Sequence, residues 1–484
     1  LYLEFHRGTY TTIAKNKRNN RKAELMLQNT ELFSVMAEKL CGLKYPINKL
    51  NDNWREVLTN QFHDILPGSS IKEVYDDSDV SYNQVFKSLN KIKTDSLDVL
   101  KKNINTEGGV LVYNPNTFEA SSSVKYNEKY IRANNIPAKG YKVIQPDNND
   151  GDIIVRNKII ENKFYRLEFG DDYRLISILD KIANREVLKK GRAGNSLEVH
   201  EDCPPGHYDA WDIRNYHNEK VWDVTDVSEA VPVFNGDRAG IYIKRTFSKS
   251  VISQTVWLYG SSARIDFETV CDWHNENMCL KVLFPVEINA TKAIYDIQFG
   301  IVDRGTTRNT SWDTAKFEVC GHKFADLSED NYGVSLMNDC KYGYEITSGD
   351  MRLTLLRCPV FPYKDADKGI HEFTYSLYSH QGSFAQSNAV NEAYLLNNPM
   401  LASNISKNMG NLPDSLSFLK VNGIGVFCDT LKKAENEDGY IIRAFEYFNQ
   451  RETATLDFYE EIKEAYLCDM MENKLSKLKT YGHS

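Results

Sequence analysis

Asn60-Gln61-Phe62-His63-Asp64-Ile65-Leu66-Pro67-Gly68-Ser69-Ser70 stands where one helical pattern stops and another starts. Trp54, Val57, Leu58, Phe62 and Ile65 recur at helical spacing and predict a helix over about 50–66. Pro67-Gly68 breaks it, and Ser70-Ile71-Lys72-Glu73 has the spacing of a capping box that opens the next helix. His63 is therefore expected near the end of a rigid rod, a few residues before a forced turn. Two roles fit it there: a satisfied partner in a helix–turn–helix junction, or a ligating side chain held still by the scaffold.

Working outward, a helix is expected over 12–41. Its apolar stripe runs through Ala23, Leu27, Phe33 and Met36, with Lys15, Lys17, Arg18, Arg21 and Lys22 on the outward side, and Gly42 as the stop. A third helix, over 71–102, carries Val74, Tyr82, Val85, Leu89 and Ile92. Three long amphipathic helices with short connections predict a bundle. Residues 1–10 read as a short strand with a tight turn at Gly8. After Val110 the apolar period changes from helical to alternating, with Gly, Asn and Asp turns between runs such as Ile241–Phe247, Val251–Tyr259, Ala263–Val270 and Leu280–Val286. That pattern predicts a large antiparallel β-sandwich. The expected class is α+β, multidomain: a three-helix bundle, a large antiparallel β-sandwich and a smaller C-terminal β region.

The chain has 484 residues, a net charge of -8 and 41% hydrophobic residues, so several domains are expected. This balance gives no electrostatic attraction to nucleic acid or anionic lipid, and no apolar run is long enough for a membrane helix. Nine cysteines without a close CxxC pair argue against a structural zinc knot or a disulfide scaffold and suit reduced thiols in the cytoplasm. The opening Leu1-Tyr2-Leu3-Glu4-Phe5-His6, with neither methionine nor polar lead, is expected to be cut from a longer protein.

Three clusters draw attention. Glu201 to Asp212 places four acids, His207 and two aromatics around Pro204-Pro205-Gly206, a loop facing either a sugar or the solvent. His322 to Gly333 and Asn338 to Tyr344 are the others. Cys203 beside Pro204 and near His207 is the one candidate for a nucleophilic thiol, but no activating pair sits at a strand–helix junction.

Leu1 to Thr12, Asn60 to Ser70, Ala325 to Gly333 with Leu336 to Tyr344, and His371 to Tyr378 resemble, in order, the post-catalytic portion of glycoside hydrolase family 38 α-mannosidases, nearest the cytosolic type. The resemblance implies the end of a catalytic domain at 1–11, the middle-domain helix bundle at 12–107, a small β domain at 108–165, the large, galactose-mutarotase-like β-sandwich at 166–400, and a truncated β region at 401–484. It implies a zinc-dependent retaining exo-α-mannosidase acting on terminal non-reducing α-mannose of oligosaccharides. His63 corresponds to a zinc ligand and Asp64 to a sugar contact, with His6, Arg7 and Tyr10 bordering the same pocket. A lone imidazole would accept cobalt as well as zinc. The nucleophile and general acid are expected upstream of Leu1, so no catalytic residue is assigned here and the isolated chain is expected to be inactive. Asp209, Asp212 and Asp313 have no spacing that would make them substitutes. Homo-oligomerisation is compatible with this class but marked by no surface. The alternative is a non-catalytic carbohydrate-binding or assembly module, with the 28 tyrosines and 6 tryptophans as stacking faces.

Overall fold

The computed structural model describes residues 4–146, 152–202 and 208–483. These fall into two compact units, one built from 1–22, 59–81 and 149–397, the other from 23–58, 82–148 and 398–484. Three long helices are present: α1 (Ala14–Cys41), α2 (Ile47–Asn60) and α3 (Lys72–Asn103). Gly42 follows α1 with a φ of +73°, the left-handed stop expected of it. The segment expected to open the chain as a strand is instead a 3₁₀ helix, Glu4–Tyr10. It pairs with no sheet because its backbone bonds within itself and to a loop, Thr12 N–H to Gly8 O and Gly8 N–H to Trp211 O.

In the first unit, a nine-stranded antiparallel sheet runs in the order 227–235, 238–247, 250–259, 265–273, 369–381, 332–338, 324–328, 292–297, 300–305. A six-stranded sheet runs 221–223, 196–201, 278–285, 350–357, 343–347, 319–320. Their inner faces share one core. Phe267 of the larger sheet meets Phe284 of the smaller with ring centroids 5.3 Å apart, and Tyr375 stacks on Phe267 at 5.0 Å. The strand Ile265–Trp273 alternates buried and exposed positions toward its end, as a half-covered sheet requires. A smaller five-stranded sheet spans 154–186.

In the second unit, Ala23, Leu27, Phe33 and Met36 of α1, Val57 of α2 and Tyr82, Val85 and Leu89 of α3 are buried together. The same core takes in Leu111, Tyr113 and Tyr141 from a four-stranded sheet ordered 401–405, 109–114, 140–144, 415–417. Each fully buried aliphatic side chain of this kind contributes about 1.5–3 kcal/mol.

Candidate functional site

The expected helix over 50–66 stops at Asn60, and His63 and Asp64 lie in the turn that follows. That turn is pinned through its own carbonyls. Asn16 Nδ2 donates to Ile65 O (3.0 Å), while Lys17 Nζ donates to Leu66 O (2.9 Å) and Pro67 O (3.2 Å). Pro67 also biases Leu66 away from helical backbone. Short-range bonds replace the helical ladder, with Ile65 N–H to Phe62 O at 2.9 Å and Gly68 N–H to Ile65 O at 3.1 Å. Gly68 adopts a φ of +93°, and a Cβ there would stand 2.3 Å from Thr12 O.

The expected capping box does not form as drawn. Ser70 Oγ donates to Asp64 O (2.7 Å), and the Ser70 N–H that Glu73 was expected to accept goes to Tyr75 Oη (3.0 Å). Burial pushes the Tyr75 phenol up to about 12, so it stays a neutral partner. Gln61 Nε2 adds a bond to Asn20 Oδ1 at 3.0 Å. The backbone beneath His63–Asp64 is thus fastened from both flanking helices.

The two side chains above it are free to meet a ligand. The His63 side chain is 77% exposed and that of Asp64 51%, with Nε2 and Oδ2 3.4 Å apart. The Phe62 ring lies 4.2 Å from the imidazole, centroid to centroid. One imidazole and one carboxylate fall short of the four ligands zinc takes in protein sites. No group of three or more His, Cys, Asp or Glu suited to a metal exists among the described residues. His63 and Asp64 therefore fit part of a metal shell and not the whole of one.

The N-terminal segment reaches this turn through Thr12. Arg357, fully buried, donates from Nε to Asp202 Oδ2 (2.6 Å), from Nη1 to Thr12 Oγ1 (3.0 Å), and from Nη2 to the carbonyls of Asp209 and Asp212 (2.8 Å each). Gly8 leaves room for that guanidinium, since a Cβ would stand 1.9 Å from Arg357 Nη1. Lys17 Nζ then bonds Thr12 O as well as the two turn carbonyls. Burial pushes the Lys17 amine down to about 7. Asp367 caps the start of α1, accepting from Ile13 N–H (2.6 Å) and Ala14 N–H (2.7 Å).

Of the three residues expected to border the pocket, His6 is exposed, Tyr10 half-buried and Arg7 buried. Arg7 donates to Ile213 O (3.1 Å) and Ala315 O (2.9 Å), sits 3.5 Å from Asp212 and lies over the Phe317 ring. These contacts make it a support for the 3₁₀ segment.

Two further expectations change. Lys17 and Arg21, read as outward-facing, are both buried. Arg21 donates to Asn338 Oδ1 (2.9 Å) and Lys341 O (3.0 Å), and its guanidinium lies 4.2 Å above the Tyr342 ring. That gives the Asn338–Tyr344 cluster a structural role. In the Glu201–Asp212 loop, Asp202, Asp209 and Asp212 are buried and face neither sugar nor solvent, because Arg357, Val360 N–H and Arg214 hold them. Cys203 and His207 lie outside the described residues. Asp313 closes a capping box with Thr310.

The cluster at His322–Gly333 contributes a grouping that imitates a nucleophile triad. Asp326 Oδ2 lies 3.0 Å from His380 Nε2, and Ser328 Oγ lies 3.5 Å from that same nitrogen. Carboxylate and hydroxyl compete for one nitrogen, while Nδ1 is buried without a hydrogen-bond partner. A triad needs them on opposite nitrogens, so this is a packing network. Ser335 Oγ completes it at 2.5 Å from Asp326.

A helix bundle joined to paired antiparallel sheets, with an exposed His-Asp pair on a fastened turn, meets known proteins at one family. Residues 4–100 match the alpha mannosidase middle domain, 160–365 the glycosyl hydrolases family 38 C-terminal domain, and 425–483 the family's C-terminal beta sandwich domain. The chain belongs to glycosyl hydrolase family 38.

Among individual relatives, it is 33% identical to alpha-mannosidase G of Dictyostelium discoideum over 93% of this chain and 47% of the relative. It is 32% identical to human alpha-mannosidase 2C1 over 98% of this chain and 47% of that protein, and 32% identical to the Saccharomyces cerevisiae alpha-mannosidase over 99% and 45%. The chain thus spans about half the length of these relatives. Two Enterococcus faecalis structures share the fold at 16% identity: a family 38 protein (TM-score 0.82, covering 98% of this chain and 70% of that one) and an alpha-mannosidase (0.84, covering 98% and 67%).

Proposed function

We propose that this chain is the bundle-and-sandwich part of a retaining exo-α-mannosidase that removes terminal α-mannose from oligosaccharides. The observation that carries the reading is the contrast at residues 61–70: a backbone tied down by Asn16, Lys17, Ser70 and Tyr75, bearing an imidazole and a carboxylate that stand open. Fixed backbone with open polar groups is what a site needs from a contributing segment.

On this reading His63 would supply one nitrogen to a zinc ion, and Asp64 would accept hydrogen bonds from mannose hydroxyls. The chemistry zinc would supply there is Lewis-acid polarisation of sugar oxygens. His6 and Tyr10 border the entrance, and Arg7 holds their segment. A retaining glycosidase needs two carboxyl groups about 5–5.5 Å apart, one to attack the anomeric carbon and one to protonate the leaving oxygen. Both are assigned to residues outside this chain, so the 484 residues alone are inactive. No helix among the described residues is long and apolar enough to cross a membrane. Eight of the nine cysteines lie among the described residues, all as free thiols, which suits a reducing cytoplasm.

The test joins this chain to the N-terminal half of the Dictyostelium relative and follows hydrolysis of an α-mannoside by NMR. Release of mannose with retained α configuration supports the proposal. A fused, folded protein that binds no mannoside and releases none would sink it.

A further inference from the structure

A cavity of about 410 Å³ opens on the sheet unit with neither His63 nor Asp64 in its lining, within the size range of small-ligand sites. Its wall mixes donors and acceptors, with Asn215, Asn218, Arg308, Thr314, Thr347 and Glu345 among the lining residues. Several of these groups are fixed before any ligand arrives. Glu345, 7% exposed, is held by Lys281 Nζ at 3.1 Å. Arg352 is held by Glu198 at 2.8 Å, and Asp350 takes both Lys189 (3.2 Å) and Arg192.

Two groups remain unsatisfied. Thr347 Oγ1 is buried without a hydrogen-bond partner. Arg308 has no carboxylate at ion-pair distance among the described residues, and its Nη1 reaches only the Thr307 carbonyl, at 3.3 Å. An orphaned hydroxyl in a polar wall marks a position that a ligand or water must fill.

The segment between Arg308 and Thr314 carries the third observation. Trp312 is 78% exposed on the short helix Ser311–Ala315, which a Thr310/Asp313 capping box holds in place. Tryptophan is ordinarily well covered, because leaving its large apolar faces in water is unfavourable. Here the ring stands on a fixed turn whose neighbours line the cavity.

We infer that the cavity is a saccharide-binding site that uses neither His63 nor Asp64 and takes Trp312, which lies in sequence between the lining residues Arg308 and Thr314, as its stacking face. A pyranose presents hydroxyls that both donate and accept, matching the amides, Thr347, Arg308 and Glu345, and an apolar C–H face that suits indole. A simple anion fits less well, because the Glu345 and Asp350 carboxylates share the wall.

The test titrates the intact chain with α-1,2-mannotriose, read by tryptophan fluorescence and calorimetry. Trp312→Ala and the double variant Asn215→Ala/Asn218→Ala, both changed at exposed positions, are each expected to weaken binding about tenfold or more. His63→Ala/Asp64→Ala is expected to leave it unchanged, which separates this site from the proposed mannosidase pocket. Thr347→Val gives a second check by removing the orphaned hydroxyl at nearly constant shape, and is expected to weaken binding in the same direction. No binding, binding indifferent to Trp312, binding lost with His63, or inorganic phosphate displacing the trisaccharide would each overturn the inference.

Discussion

Replacing Lys17 with methionine tests whether the His63 turn is held from below. Lys17 is 4% exposed, and its amine donates to the carbonyls of Thr12, Leu66 and Pro67. Methionine keeps the apolar stem and removes all three bonds. At about 1 kcal/mol net for each, the loss is about 3 kcal/mol. Concentrated on one turn, that raises its open population by about two orders of magnitude. Removing an amine that burial disfavours offsets part of this for the fold as a whole, but not for the turn. Hydrogen exchange at the amides of Ile65, Leu66 and Gly68 reads the effect directly, since each is bonded within the turn. Exchange there should rise about a hundredfold in Lys17→Met, with amides of the strand 265–273 unaffected. Unchanged protection at the turn would refute the reasoning, because Lys17 would then not be what fastens it.

Other outcomes follow from the same contacts. Gly8→Ala should lower the melting temperature sharply, because the new Cβ overlaps Arg357 Nη1 and parting that cation from Asp202 costs about 3–5 kcal/mol; thermal denaturation checks it. Glu31, 2% exposed and hydrogen-bonded to Trp54 Nε1 at 2.8 Å, is pushed up to about 7 by burial. Its folded value lies above its unfolded one, so its contribution is fully present below about 4.5 and is lost as pH rises through about 7, a change of about 3 kcal/mol. Glu31→Gln keeps the acceptor for Trp54 and should flatten that slope in urea denaturation of the bundle between pH 4.5 and 8.

Periodicity carried the bundle and the sandwich because both bury one face of each element, and a buried face writes itself into the sequence. It misplaced the end of α2, and the residues that pin the turn beyond it, Asn16 and Lys17, lie on another helix and reach across to Ile65, Leu66 and Pro67. Lys17 and Arg21 defeated the polar-outside rule for a related reason: the groups that satisfy them, the turn carbonyls and Asn338, come from distant sequence. A hint was available in their four-residue spacing, which sets them on one face of α1. The acids at 202, 209 and 212 looked like a ligand-facing loop because Arg357, some 150 residues away, gives no local sign of its role. The roles proposed for His63 and Asp64 rest on the family resemblance and on nothing in the local pattern. Their geometry adds what the letters could not, an open pair on a backbone fastened from both sides.

The most direct measurement of the central claim is the metal content and turnover of the two-part protein described above, with and without His63→Ala. The account predicts stoichiometric zinc in the parent, a loss of metal affinity of a hundredfold or more in the variant, and mannoside hydrolysis falling with it. Full zinc occupancy and undiminished turnover without the imidazole would contradict it.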